Sequence, residues 1–120
     1  MNKILVVDDS PAELALLKQI ITEAGCFPVL AVNGKEAVEK AKAEKPLLIL
    51  MDIVMPEMDG YQACRTLTQD PSTKAIPIYF VSSKNQKADQ LWAKMQGAKA
   101  LIPKPADKQA IMDILKQAGV

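Results

Sequence analysis

Met51-Asp52-Ile53-Val54-Met55-Pro56-Glu57-Met58-Asp59-Gly60 closes an apolar run, Leu47 to Met51, on a carboxylate and leaves it through a loop punctuated by Pro56 and Gly60. A charge at the end of a buried strand costs desolvation energy unless something recovers it. At the carboxyl edge of a parallel sheet, the usual compensation is a ligand, an ion or a reaction. Two further acids, Asp8 and Asp9, follow the run Ile4 to Val7, and a base, Lys104, follows Ala100 to Ile102. The acids and the base therefore gather at strand ends.

Working outward, short apolar runs alternate with helix-period segments along the whole chain. The runs are Ile4–Val7, Val29–Val32, Leu47–Met51, Ile76–Val81 and Ala100–Ile102. The first, third and fourth are nearly continuous in apolar character, as in strands covered on both faces. Between runs, Leu14, Leu17, Ile21 and Ala24 form one stripe at three-and-four spacing, and Ile111, Ile114, Leu115 and Ala118 another. Ser10-Pro11-Ala12-Glu13 predicts a capping box with proline at the first helical position. Asn33-Gly34-Lys35-Glu36 repeats the pattern with Asn as cap, and the last helix is expected to start near Ala106 or Asp107. The alternation predicts an α/β fold of the (βα)₅ type, a doubly wound parallel sheet with right-handed crossovers. Its expected strand order is 2-1-3-4-5, the flavodoxin-like three-layer α/β/α arrangement. Asp8, Asp9, Asp52, Ser82 and Lys104 then all fall at carboxyl ends of strands.

The chain of 120 residues is expected to form one domain over 1–120, with a core of ordinary size. A net charge of +1, with no block of Lys or Arg, argues against a nucleic-acid or membrane surface. No apolar stretch approaches the ~20 residues of a membrane span, and Asp8-Asp9 come too early for a signal peptide. Cys26 and Cys64 make neither a CxxC pair nor a zinc spacing, and read as buried free thiols of a cytoplasmic protein. The chain has no histidine, which excludes Ser-His or Cys-His catalysis. Any phosphohistidine in its chemistry must belong to another molecule.

Two like charges ~4 Å apart repel by about 4 kcal/mol at an effective dielectric near 20. A hard divalent cation resolves that repulsion, and an all-oxygen donor set with exposed positions suits Mg²⁺. Lys104 would add repulsion to such a site until a further anion arrived. A phosphoryl group fits the vacancy in charge: the cation takes one oxygen, Lys104 another and the Ser82 hydroxyl a third. Asp52 can then attack phosphorus in line, giving an aspartyl phosphate. Asp8-Asp9 as mere helix-cap acids is the weaker explanation, because Ser10 already supplies the cap.

Over essentially its full length the chain resembles a CheY-like receiver domain, the response-regulator half of two-component signalling. The resemblance is carried by Val6-Val7-Asp8-Asp9-Ser10, the Met51-Asp52 loop through Met55-Pro56 to Gly60, Val81-Ser82-Ser83, Gly97-Ala98 and Lys104-Pro105. It implies that Asp52 is the phosphoacceptor, that Asp9 binds Mg²⁺ directly and Asp8 mainly through water, and that the backbone carbonyl of Val54 completes the metal ligands. It further implies that Ser82 swings toward the phosphoryl group, that Lys104 pairs with it, and that Lys104-Pro105 is cis. A finer similarity, to stand-alone regulators of type IV pilus twitching motility and phototaxis, runs through Gly60-Tyr61-Gln62-Ala63, Thr66-Leu67-Thr68-Gln69-Asp70 and Leu91-Trp92-Ala93-Lys94-Met95-Gln96-Gly97-Ala98.

The chain departs from the family at Leu101, three residues before the lysine, where receivers carry Tyr or Phe. Leucine has no ring to swing inward, so output is expected through Ser82, Ser83 and the fourth helix, with Trp92 as a candidate partner anchor. The expected partners are a sensor histidine kinase or phosphotransfer domain and a downstream motility or signalling protein. The expected function is a phosphorelay regulator acting by binding, not an enzyme beyond its own phosphorylation and dephosphorylation. One rival is a phosphorylation-independent interaction module on the same fold. The other, a Mg²⁺-dependent phosphatase, wants a second acid two residues beyond the nucleophile, where this chain has Val54.

Overall fold

Five strands lie parallel in a single sheet of order β2-β1-β3-β4-β5. The computed structural model describes residues 1–120. Its elements alternate as β1 (Lys3–Val7), α1 (Pro11–Glu23), β2 (Phe27–Ala31), α2 (Gly34–Glu44), β3 (Leu48–Met51), α3 (Gly60–Gln69), β4 (Ile78–Ser82), α4 (Lys87–Met95), β5 (Ala100–Pro103) and α5 (Lys108–Gln117). This is the doubly wound, flavodoxin-like order expected from the sequence, and no helix is long and apolar enough to cross a membrane.

The period of the strands divides the core in two. On one face Ile4, Val6, Leu48, Leu50, Val81 and Ile102 pack against Leu17, Ile20 and Ile21 of α1 and Ile111, Ile114 and Leu115 of α5. On the other, Leu5, Val7, Ile49, Met51, Ile78 and Phe80 meet Ala37, Val38 and Ala41 of α2, Ala63, Cys64 and Leu67 of α3, and Ala93 of α4. Both cysteines are free and buried, as read from sequence.

Several boundaries differ from the sequence expectation. β2 runs from Phe27 to Ala31 rather than Val29 to Val32, and its early start through Pro28 is possible because it is an edge strand. The Phe27 amide bonds inward to Asn2 O at 2.8 Å, so alternation turns Pro28, which has no N–H, outward, where nothing needs donating. Leu47 and Ile76 precede their strands, Ser82 and Pro103 extend theirs, and α5 begins at Lys108 with Asp107 as its cap. Ser10 caps α1 by accepting from the Glu13 amide, but the reciprocal half of the box is not made by Glu13. The Ser10 amide donates instead to Asp8 Oδ1 at 2.9 Å. Asn33 caps α2 through the Glu36 amide at 2.8 Å, while the Glu36 carboxylate turns along the helix to Lys40 at 3.0 Å.

Candidate functional site

β1 and β3 are neighbours in the middle of the sheet, with Val7 opposite Met51. Each ends in acid, so register alone sets Asp8 beside Asp52. The Asp52 amide donates to Val7 O at 2.9 Å and the Asp8 amide to Ala31 O at 3.1 Å, extending the ladder one residue into the site. Ligand oxygens of Asp8, Asp9 and Asp52 all lie within 4.8 Å of one another. Asp8 is 1% exposed and Asp52 7%, whereas Asp9 is open to solvent. The result is an acidic cup with a buried floor and one accessible wall.

Lys104 reaches this cup from the end of β5. Its amide is fixed by Ser82 O at 3.1 Å, across the β4–β5 pair. Its ammonium lies 2.8 Å from Asp8 Oδ2 and 3.1 Å from Asp52 Oδ2. Asp52 Oδ1 accepts from the Ile53 amide at 2.8 Å. Burial, and then the neighbouring Asp8 charge, push the Asp52 carboxyl above its usual range, against the opposing pull of Lys104 and the Ile53 amide. Burial works against the charge on Lys104, but the two carboxylates outweigh it and hold the ammonium above its usual value.

The remaining residues singled out in the sequence occupy different places. Ser82 is buried at the end of β4, and its hydroxyl accepts from the Lys84 amide at 3.1 Å. Ser83 is exposed beside it. Leu101 lies in the core with Phe80, and β5 carries no aromatic ring. Trp92 is half-exposed on α4, edge-on to Tyr61 of α3 at 6.4 Å, and Tyr61 is edge-on to Phe80 at 5.3 Å. Met51 and Met55 are buried and Met58 packs on the same cluster, which makes the methionines the packing beneath the loop. The Lys104–Pro105 peptide is cis.

The donor set fits a hard cation. Oxygens of three carboxylates converge, no imidazole exists in the chain, and Asp8 Oδ2 is buried without accepting a hydrogen bond, its contact with Lys104 being an ion pair. Mg²⁺ takes such oxygen ligands and keeps several waters, for which the Asp9 side leaves room.

Sequence reasoning missed the support for this loop. The Gly60 amide closes the loop on Ile53 O at 2.7 Å, and the Gly34 amide donates to Met58 O at 3.0 Å. Asp59 caps α3 through the Gln62 amide at 2.9 Å. The Asn33-Gly34 pair carried a signal, since glycine is a poor choice for a first helical turn unless space is needed.

Residues 4–116 match the response regulator receiver domain. The chain belongs to that family. It is 44% identical over 112 residues to protein PilH of Pseudomonas aeruginosa, covering 93% of each chain. Chemotaxis protein CheY of Thermotoga maritima is 40% identical over 121 residues, with 98% of each chain covered. Among solved structures, the CheX–CheY–BeF3–Mg²⁺ complex from Borrelia burgdorferi superposes with a TM-score of 0.90 at 28% identity, covering 99% of this chain and 90% of that one. Receiver domains are signalling proteins, they bind Mg²⁺ in their acidic site, and they work with histidine kinases and downstream proteins. Receiver-fold likeness and the acidic cup thus agree.

Proposed function

We propose that this chain is a response regulator receiver domain that takes a phosphoryl group from a histidine kinase or phosphotransfer domain onto Asp52. The observation that carries the proposal is the convergence of Asp8, Asp9 and Asp52 oxygens within 4.8 Å, with Lys104 held on Asp8 and Asp52. Asp8, Asp9, Asp52 and the Val54 carbonyl would hold Mg²⁺. Bound there, the cation would supply charge neutralisation for phosphoryl oxygens. The Asp52 carboxylate forms the new O–P bond as the donor's N–P bond breaks, and the released imidazole keeps or gains its proton from solvent. Water later cleaves the acyl phosphate, returning the carboxylate and inorganic phosphate. Lys104 stabilises the equatorial charge, and the Ser82 hydroxyl exchanges its Lys84 amide contact for a phosphoryl oxygen.

Output is assigned to the face formed by α4, β5 and α5. Leu91, Trp92 and Met95 all stand exposed on α4, an apolar surface of a kind that partners cover. On the same helix, Lys87, Ala88, Gln90, Leu91 and Lys94 line a shallow hollow of about 590 Å³ that shares no residue with the cup. The 44% identity to PilH and near-complete mutual coverage support a role in type IV pilus motility in the cytoplasm. Acetyl phosphate with Mg²⁺ should retard the protein on phosphate-affinity gels, and chelation by EDTA should abolish the shift. Unchanged mobility with both acetyl phosphate and phosphoramidate would refute the proposal.

A further inference from the structure

Gly34 opens α2, yet its nearest neighbour outside the helix is the loop that follows Asp52. Its amide, one of the N–H groups that a helix start leaves unpaired, donates to Met58 O at 3.0 Å. A Cβ at this position would stand 2.4 Å from Met58 O and 2.9 Å from Met58 Cγ. Its φ lies outside the left-handed region that favours glycine, so space, not backbone freedom, is what glycine provides. Alanine would otherwise be the better helix former here.

The loop is already pinned at its base. The Gly60 amide bonds Ile53 O at 2.7 Å, and a Cβ on Gly60 would stand 2.2 Å from Asp52 O. Gly34 therefore supplies a second backbone hold, on the far side, in a loop whose Ile53, Met55 and Met58 side chains pack on the core. Val54 lies within the span so held, and the residue is 64% exposed. Core packing of its own side chain does little to fix the Val54 backbone.

We propose that Gly34 is a positioning residue for the cation and phosphoacceptor site: the close approach of α2 to Met58 sets the loop carrying the Val54 carbonyl. This inference rests on the reading of the acidic cup as a Mg²⁺ site. It makes the start of α2, on a neighbouring βα unit, part of the machinery although it touches no reacting atom.

The test is a Mg²⁺ titration followed by backbone amide NMR on wild type, Gly34→Ala and Gly25→Ala. Nothing lies within 4 Å of a Cβ at Gly25, where φ is +81°, so that variant is strained without touching the loop. Gly34→Ala should displace the Ile53–Gly60 amide resonances before metal is added and weaken Mg²⁺ about tenfold, as loss of an outer support does. Gly25→Ala should lose stability and keep wild-type affinity. A folded Gly34→Ala with unmoved loop resonances and wild-type affinity overturns the inference. If Gly34→Ala does not fold, hydrogen exchange of the wild-type Gly34 amide decides: added Mg²⁺ should slow it, and an unchanged rate overturns the inference. Wild type showing no saturable Mg²⁺ response would refute the cup itself, a failure distinct from equal affinity in the two folded proteins.

Discussion

Lys104 Nζ stands closer to Asp8 Oδ2 (2.8 Å) than to Asp52 Oδ2 (3.1 Å). The ammonium is thus a counter-ion to the whole cup, shared between the proposed nucleophile and the acid at the end of β1. A cation entering the cup competes with Lys104 for the same oxygens.

Lys104→Ala should therefore unfold more easily in EDTA and regain more stability from Mg²⁺ than wild type. The loss expected without metal is about 1–3 kcal/mol, less than the ~3–5 of a fully buried pair, because Lys104 keeps 14% side-chain exposure. Calorimetry with EDTA and with Mg²⁺ measures both quantities. A smaller Mg²⁺ increment in the variant would contradict the shared counter-ion.

Tyr61 presents a different balance. Its hydroxyl is buried without a hydrogen-bond partner, while its ring packs edge-on to Phe80 and Trp92. Tyr61→Phe keeps the ring contacts and removes the orphaned group, so it should stabilise the fold by roughly 1 kcal/mol. Urea denaturation followed by Trp92 fluorescence reads this directly. A clear loss of stability would mean that the hydroxyl has a partner in solution.

Asp70 gives the pH dependence a sign. The Ser72 amide and hydroxyl, both at 2.8 Å, and then Lys42 at 3.2 Å hold its carboxyl down to about 2. A carboxyl depressed in the folded state stabilises the protein above its unfolded value, 3.8, and that contribution is lost as pH falls toward about 2. The midpoint difference between wild type and Asp70→Ala should be present at neutral pH and shrink between pH 4 and pH 2. A difference independent of pH would contradict it.

Cys64 should be inert in the native state. Burial pushes its thiol up to about 11, and its Sγ donates to Gln96 O at 3.2 Å. At pH 8 the thiolate is then roughly one part in a thousand, and the thiolate is the reactive form. Iodoacetamide should modify Cys64 only after urea is added, as intact mass and peptide mapping would reveal. Rapid native alkylation would contradict the burial.

Much of this architecture is legible in the residue order, for physical reasons that differ from place to place. Leu47–Met51 reads as a strand because it is continuously apolar, as a strand covered on both faces must be, and Asp8, Asp52 and Lys104 read as a site because charges at such ends need compensation. β2 starts two residues before its apolar run suggests, because Pro28 looks like a breaker until the strand is known to be an edge. Local spacing pairs the Ser10 amide with Glu13, yet Asp8 reaches it first from the cup. The cap of α4 was invisible: Gln86 is a weak cap by type, and only the Asp89 carboxylate folding back onto its amide at 3.0 Å marks the start. Gly34 escaped because its neighbour Met58 is distant in sequence and the contact is made by backbone.

The central claim is that Asp52 alone receives the phosphoryl group, and borohydride reduction of the acyl phosphate followed by peptide mass spectrometry tests it most directly. After treatment with acetyl phosphate and Mg²⁺, position 52 should yield homoserine, and Asp52→Asn should yield none anywhere. Homoserine at position 8, 9 or 59, or persistent labelling of Asp52→Asn, would contradict the account.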